Sequence, residues 1–308
     1  MAGTAPRPNQ NRPMAGIALM LLAYLSFSCI DTSAKWLALA GIPALQLAFM
    51  RYLWHFVISA ALIARNGLTL AHFGADRIGL VVARAIALMA STVLNFISVR
   101  YLPLTLTSTI LFSAPLIICA LSGPVLGEKV GVWRWSAVVI GFIGILVAIR
   151  PFGASFHWAV FLSLAGAFCF AAYSLMTRKL AGEVSSGTMQ LYSGGVGTAV
   201  LAPFALVQWQ APAGAVDWLL LVGLGFFGWI GHEFLRRAHG FAPASPLSPF
   251  SQVFIIYLGV WSFFIFDTLP DQWTVVGALI ISAASMTIWL RERRLARALL
   301  AHPGAVKP

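Results

Sequence analysis

The fold is decided by residues 100–151, RYLPLTLTSTILFSAPLIICALSGPVLGEKVGVWRWSAVVIGFIGILVAIRP. This stretch contains two long apolar segments joined by a short turn at residues 127–129. The same layout returns in residues 240–290, where Pro243 corresponds to Pro103. We therefore interpret the chain as an internally duplicated unit, because self-similarity of this kind indicates a repeat architecture.

The charges beside the two turns have opposite signs. Lys129 and Arg134 lie near the first turn, whereas Asp267 and Asp271 lie near the second without a Lys or Arg. Because cytoplasmic loops are enriched in Lys and Arg, the first turn is predicted to face the cytoplasm and the second the outside. The two repeats are therefore predicted to be inverted, with an odd number of spans in each.

The composition indicates that lipid is the solvent for most of the chain. Hydrophobic residues make up 60% of it, charged residues only 9%, and the mean hydropathy is +0.87, which is too apolar for a soluble domain. A bilayer span needs about 20 apolar residues. Ten such runs can be drawn, at 15–39, 44–64, 77–99, 104–126, 132–149, 158–180, 188–207, 217–237, 245–266 and 272–290.

These spans divide the chain into segments and explain its charge. The predicted segments are a cytoplasmic tail (1–14), two five-helix repeats (15–152 and 153–290) and a basic cytoplasmic tail (291–308). The net charge of +11 comes mostly from Lys and Arg at the predicted cytoplasmic ends. We interpret it as a signal of topology, with both termini cytoplasmic, and we expect no nucleic-acid partner.

Polar residues follow helical spacing on two spans. Such stripes must face protein or water. They comprise Tyr24, Ser28, Asp31 and Lys35 on the first span and Arg84, Ser91, Asn95 and Ser98 on the third.

The fourth and ninth spans are rich in hydroxyl groups and are interrupted by Pro115 and Pro249. Broken helices at corresponding positions of inverted halves indicate a central binding site. The fifth and tenth spans alternate small and aliphatic residues instead, so we expect them to form a scaffold or a dimer face.

Short motifs are distributed over both halves of the chain. They are Leu102-Pro103, Ser113-Ala114-Pro115, Leu126-Gly127-Glu128, Ile140-Gly141, Arg237-Ala238, Ala242-Pro243-Ala244-Ser245, Pro249-Phe250, Asp267-Thr268-Leu269-Pro270, Gly277 and Arg291-Glu292-Arg293. Together they resemble the drug/metabolite transporter superfamily and its ten-helix EamA-type exporters. The resemblance implies an all-α membrane protein of ten transmembrane helices, in two inverted-topology five-helix repeats around a central cavity. The chain is similar in particular to bacterial aromatic-amino-acid exporters, which implies alternating-access export of amino acids or similar small metabolites across the inner membrane.

We expect the cavity between spans 1, 3 and 4 of one half and spans 6, 8 and 9 of the other. The candidate cavity residues are polar or aromatic groups near the middle of these spans and of the seventh. They are Tyr24, Ser28, Asp31, Asn95, Ser113, Tyr173, Tyr192, Trp229, Gln252 and Tyr257.

Two ion pairs are predicted from the depth of charged residues in the bilayer, where an unpaired charge is costly. Asp31 and Arg51 lie about 10 to 12 Å from the outer ends of their helices at 1.5 Å per residue. This pair could be an outer gate, a contact for a substrate carboxylate, or only a structural tie. Arg84 and Glu233 could form an inner gate, or each could extend separately to the headgroups.

Protons could be carried by several residues. His232 and His55 could relay protons or serve only in packing. A proton-coupled mechanism would use Asp31 or Glu233 as the carrier, whereas facilitated diffusion would need neither.

No enzyme motif is recognised, and we expect no catalytic residue, cofactor or metal. The expected partners are a small-molecule substrate and membrane lipid, and the sequence carries no signal of oligomeric state. The alternatives are a transporter of drugs or nucleotide-type metabolites on the same fold, or a membrane enzyme or scaffold that transports nothing.

Overall fold

The computed structural model describes residues 13–65, 77–127, 131–151, 153, 156–241 and 247–301, and these contain helices and no β-strand. Glu128, Lys129 and Pro243 lie outside the described residues. The helices are α1 (Pro13–Leu39), α2 (Ala44–Arg65), α3 (Ile78–Tyr101), α4 (Leu104–Leu111), α5 (Ala114–Leu126), α6 (Val132–Ile149), α7 (Ala159–Leu180), α8 (Ser186–Val207), α9 (Ala215–Phe241), a 3-10 turn (Ser248–Gln252), α10 (Val253–Phe266) and α11 (Gln272–Ala301).

The ten predicted spans are confirmed in the described part of the chain. Nine segments are long and apolar enough to cross a membrane, and a shorter apolar helix covers Phe250–Phe266. Helices α4 and α5 together form the fourth span, and the 3-10 turn with α10 forms the ninth. The largest difference is at the last helix, which continues beyond the predicted end of the span at Leu290 to Ala301.

The two predicted helix breaks are also present. Helix α4 ends at Leu111 and α5 begins at Ala114, one residue before Pro115. Proline cannot continue a helical hydrogen-bond ladder, which explains the break. In the second half, the ninth span starts with the 3-10 turn before it becomes α-helical at Val253.

The helix pairings repeat between the two halves in inverted order. Helix α1 packs along α9, and the counterparts of these two helices, α7 and α3, pack along each other. Helix α2 packs on its own counterpart α8, as α6 does on α11. This pattern is that of two five-helix repeats related by a pseudo-two-fold axis.

Glycines allow the closest helix contacts. A Cβ atom on Gly225 of α9 would lie 3.0 Å from the Arg51 carbonyl oxygen of α2, and one on Gly194 of α8 would lie 2.8 Å from the Phe56 Cα. A Cβ atom on Gly277 of α11 would lie 2.6 Å from the Gly144 carbonyl oxygen of α6. Small residues therefore set the separation of the helices, as is common in membrane bundles.

Two ends of the bundle are distinguished below. The Gln46 end is where α1 ends and α2 begins, and the Arg77 end is where α7 ends and α3 begins. Pairs that join the two halves occur at both ends: Arg150 with Asp271 at 3.2 Å at the Gln46 end, and Arg77 with Glu183 at 3.2 Å at the other.

Candidate functional site

Asp31 is held by α3. Its carboxylate, buried in the middle of α1, accepts a hydrogen bond of 3.0 Å from Asn95 Nδ2. A buried carboxylate needs hydrogen-bond donors to replace water, and Asn95 supplies one. The predicted cavity residues Asp31 and Asn95 are thus brought together.

Arg51 of α2 is also held by α3, one turn away from Asn95. Its Nη1 donates to Thr92 Oγ1 at 2.6 Å, and the hydroxyls of Thr92 and Tyr52 lie 2.8 Å apart. The predicted Asp31–Arg51 ion pair is wrong for this structure, because no such pair is present in the described part of the chain. The two side chains interact electrostatically while α3 binds them separately.

Arg84 is the most extensively bound charge of the site. It is buried on α3 and donates to Thr177 Oγ1 at 2.6 Å, Ser193 Oγ at 2.9 Å and the Met189 carbonyl at 3.2 Å. Its Nη2 also donates to the Tyr173 hydroxyl at 2.9 Å, and its guanidinium lies over the Tyr173 ring, 4.4 Å from the centroid. Arg84 therefore links α3 to α7 and α8.

The predicted Arg84–Glu233 pair is also wrong for this structure, because the two helices that carry these residues do not pack together. Helix α3 packs on α7 and α8, whereas Glu233 is on α9, which packs on α1 and α2. The Glu233 carboxylate accepts hydrogen bonds from Arg236 and Arg237 of its own helix, each at 2.6 Å. The two charges are at similar depth but are directed to different neighbours.

Six rings form a continuous chain beside these polar groups. In order they are Phe112, Phe254, Tyr24, Phe27, His232 and His55, with neighbouring centroids between 5.1 and 6.0 Å apart. Phe112 directly follows α4, and the other rings come from α10, α1, α9 and α2, so both halves contribute. At the last ring, His55 Nε2 lies 3.2 Å from Gln190 Oε1 of α8.

Gly231 makes room for the ring chain. A Cβ atom at Gly231 of α9 would lie 2.6 Å from Phe27 Cε1. The glycine thus lets the Phe27 ring lie directly on α9, beside His232.

The other predicted cavity residues are more dispersed. Ser28 accepts from Trp261 Nε1 at 3.0 Å, and Gln252 accepts from Ser282 of α11 at 2.9 Å. Ser113 is fully buried and donates to the Ile110 carbonyl at the α4–α5 break, so its hydroxyl serves the break and does not face a cavity. Tyr192, Trp229 and Tyr257 are partly buried on α8, α9 and α10.

Several contacts at the Gln46 end were missed by sequence reasoning. Gln46 is fully buried, and its side-chain amide binds both the carbonyl oxygen and the N–H of Gln210, at 2.8 and 2.9 Å. Lys35 Nζ donates to the Leu102 carbonyl at 2.8 Å. Because these acceptors are main-chain groups, no side-chain pattern in the sequence identifies them.

Two cavities border this arrangement. One, of about 240 Å³, lies at the Gln46 end and is lined by residues that include Ile97, Arg100 and Gln208. The other, of about 180 Å³, lies between α1, α9 and α10 and is lined mostly by apolar groups that include Trp261.

Comparison with known families agrees with this architecture. The model of the EamA-like transporter family matches the chain twice, at residues 14–150 and 157–290. The chain belongs to the EamA-like transporter family. It is therefore a multi-pass membrane protein whose relatives are transporters of small molecules, and the resemblance inferred from its motifs is confirmed.

Named relatives of this family member differ in cargo. The chain is 28% identical to a riboflavin transporter of Vibrio cholerae, over 93% of this chain and 99% of the relative. It is 26% identical to an S-adenosylmethionine uptake transporter of Rickettsia felis (91% and 94%) and 23% identical to a pseudopaline exporter of Pseudomonas aeruginosa (89% and 95%). None of these names specifies an amino acid.

A solved crystal structure shares the fold. It covers 89% of this chain and 98% of its own, with a TM-score of 0.59 at 14% identity.

Proposed function

We propose that the protein transports a small metabolite carrying a flat ring across the bacterial inner membrane, by alternating access between its two halves. The observation that supports this most is the six-ring chain from Phe112 to His55 beside the buried Asp31 and Arg84 and the partly buried Arg51. Aromatic side chains bind flat rings by stacking or edge contacts with centroids about 4.5 to 7 Å apart. A cargo lying along them would contact both repeats and would be exposed alternately as the repeats rock.

Two cargo classes fit this arrangement. Heteroaromatic metabolites are supported by the ring chain and by the relatives named for riboflavin and S-adenosylmethionine. Aromatic amino acids are supported by Asp31 and Arg51, which present opposite charges from α1 and α2 without pairing with each other. A zwitterion could bind both charges.

We further propose that Asp31 is the proton-coupling residue and that both termini are cytoplasmic. Glu233 is bound by two arginines of its own helix, whereas Asp31 has a neutral partner, Asn95. Since Asp31 lies in the proposed cargo site, a proton and the cargo would compete for its carboxylate. Such competition would couple the movement of a proton in one direction to the movement of cargo in the other. An inward proton gradient would then drive export.

Uptake into proteoliposomes of the purified full-length protein tests the cargo proposal. The panel contains riboflavin, S-adenosylmethionine, tryptophan and phenylalanine, with leucine and alanine as ringless compounds. We expect flux of at least one ring-bearing compound above empty liposomes and none of the ringless ones. Flux of leucine or alanine alone would contradict the proposal.

A pair of variants tests the site. Phe27→Leu removes a ring from the ring chain, and Phe168→Leu removes a ring from an exposed position on α7. We expect ring-bearing cargo to move about two- to tenfold more slowly through Phe27→Leu, since an aromatic contact contributes about 0.5 to 1.5 kcal/mol beyond its buried area and about 1.4 kcal/mol corresponds to a tenfold change in rate. The Phe168→Leu rate should match the wild type, and equal losses in both variants would argue against a site at the ring chain.

A further inference from the structure

Arg84 is a buried cation without an anion. In the described part of the chain it forms no ion pair with any carboxylate, and its hydrogen-bond acceptors there are three hydroxyls and a carbonyl. Arg51 likewise donates to a neutral hydroxyl. Asp31 is the only buried acid of the described spans, so the cationic groups of the site exceed the anionic ones.

The hydrogen-bond arrangement around Arg84 leaves one donor available. The hydroxyl of Thr177 donates to the Tyr173 carbonyl, and that of Ser193 to the Met189 carbonyl. The Tyr173 hydroxyl accepts from Arg84 Nη2, and among the described residues no acceptor for its own hydrogen is recorded. Tyr173 is only partly buried, so its O–H, polarised by Arg84, can reach a ligand.

This donor lies close to the end of the ring chain. His55, the last ring of the ring chain, contacts Gln190 of α8. Met189, the residue before Gln190, accepts a hydrogen bond from Arg84 through its carbonyl oxygen. Tyr52, beside His55 on α2, interacts electrostatically with Arg84, Tyr173 and Arg51. A ligand whose ring lies along the chain would bring an attached group toward Tyr173.

We propose that Arg84 and Tyr173 form an anion subsite, so that the cargo is a ring-bearing metabolite with an acidic group, either carboxylate or phosphate. Tyr173 O–H donates to the anion, and Arg84 supplies the compensating charge and orients the phenol. Charge-assisted hydrogen bonds are about twice as strong as neutral ones, and the buried cation gains a partner only when cargo is bound. This inference rests on the proposed transport of ring-bearing metabolites.

Binding by the full-length protein in nanodiscs tests the subsite with matched ligands. The pairs are riboflavin with its 5′-phosphate and tryptamine with tryptophan, so that the second member of each adds a phosphate or a carboxylate. We expect the acidic member of at least one pair to bind about tenfold more tightly, the effect of one hydrogen bond to a charged group. Equal affinity within each pair would overturn the subsite and leave the transport proposal standing, whereas no binding of any of the four would overturn both.

Tyr173→Phe is the decisive variant because it removes only the hydroxyl and keeps the ring beneath Arg84. We expect it to weaken binding of the acidic member about tenfold more than binding of the member that lacks the acidic group. Arg84→Lys keeps the charge but loses the planar fork, and it should retain part of the preference. If Tyr173→Phe weakens both members equally, the residue has only a structural role and the subsite is wrong.

Discussion

Asp31 and Arg51 each bind α3, at Asn95 and Thr92 one turn apart, instead of binding each other. Helix α3 thus acts as a common support for both charges. The arrangement keeps a carboxylate and a guanidinium apart in the proposed cargo site, where either could exchange its partner during the proposed transport cycle.

The first prediction concerns coupling. Asp31→Asn removes the proton acceptor but keeps the shape of the side chain, so uptake of cargo into liposomes with an acidic interior should lose its response to the pH gradient. Glu233→Gln is the matched control and should keep that response, because Glu233 is bound only within α9. Initial rates with and without the gradient measure both. A response lost in Glu233→Gln and kept in Asp31→Asn would reverse the assignment.

The second prediction concerns the Gln46 end. Gln46→Met keeps the side-chain volume but leaves the N–H and carbonyl of Gln210 without their partner, which costs about 1 to 3 kcal/mol when the groups stay buried. We expect this end to open more often. Gln272→Met, at the same end but exposed and outside the lining of the 240 Å³ cavity, is the control.

Opening is measured by labelling a cysteine at position 97, in the 240 Å³ cavity, in an otherwise cysteine-free protein. A membrane-impermeant maleimide added to intact cells should label Ile97→Cys faster when Gln46→Met is present and at the original rate with Gln272→Met. Labelling only after permeabilisation would show that this end faces the cytoplasm, against the proposed orientation.

The third prediction concerns helix packing. Gly225→Ala places a methyl group 3.0 Å from the Arg51 carbonyl and 2.3 Å from Trp54 Cβ, and overpacking of this kind costs about 1 to 3 kcal/mol. The apparent Tm in detergent should fall. Gly240→Ala on the same helix meets nothing within 4 Å, and its Tm should be unchanged or slightly higher. Equal Tm values for the two variants would contradict the close approach of α2 and α9.

The fourth prediction concerns pH and Asp271, which precedes α11 outside the spans. Partial burial raises the pKa of Asp271, but hydrogen bonds from Thr274 and the charge of Arg150 outweigh it and hold the pKa below the ordinary 3.8. A lowered carboxylate pKa stabilises the fold above the unfolded-state value, and that stabilisation is lost as the pH falls through the folded-state value.

The Asp271→Asn variant should therefore lose stability at pH 7, by less than about 1 kcal/mol since the ion pair is exposed. The deficit should shrink as the pH falls below 3.8 and disappear below the folded-state pKa of Asp271, and thermal unfolding at pH 7 and over a series of acidic pH values measures it. Asp267→Asn is the control, because Asp267 has no ion pair in the described chain, and asparagine tolerates its positive φ of 50°. A deficit that persists in acid would mean that Arg150 contributes nothing.

The helices were predictable from sequence because the bilayer imposes their length. A run of apolar residues such as 132–149 predicts a membrane-spanning helix, and Pro115 predicts the helix break because it lacks a backbone N–H. The inverted repeats were predictable because Lys and Arg are distributed unequally between the two turns.

The side-chain partners were not predictable to the same degree. Depth can be counted from the sequence at 1.5 Å per residue, but the neighbour that a side chain meets depends on which helices adjoin. Arg84 and Glu233 lie at similar depths on helices that do not pack together. Thr92 donates to the Leu88 carbonyl of its own helix, as many hydroxyls in membrane helices do, so its sequence position does not identify it as the partner of Arg51. The ring chain joins five helices through residues that are individually unremarkable in a membrane span.

The inverted pairing of helices has a consequence for the transport cycle. If the two halves exchange conformations, each contact made by one half in the first state is made by the other half in the oppositely facing state. The second state then needs no additional set of interface residues. Contacts present in only one half then report which state is observed. Gln46 of α2 binds the main chain of Gln210, in the segment after α8, whereas Gln190 of α8, near the equivalent position of the second half, contacts His55. In the proposed transport cycle, binding of Gln46 to the main chain of Gln210 would therefore mark one of the two states.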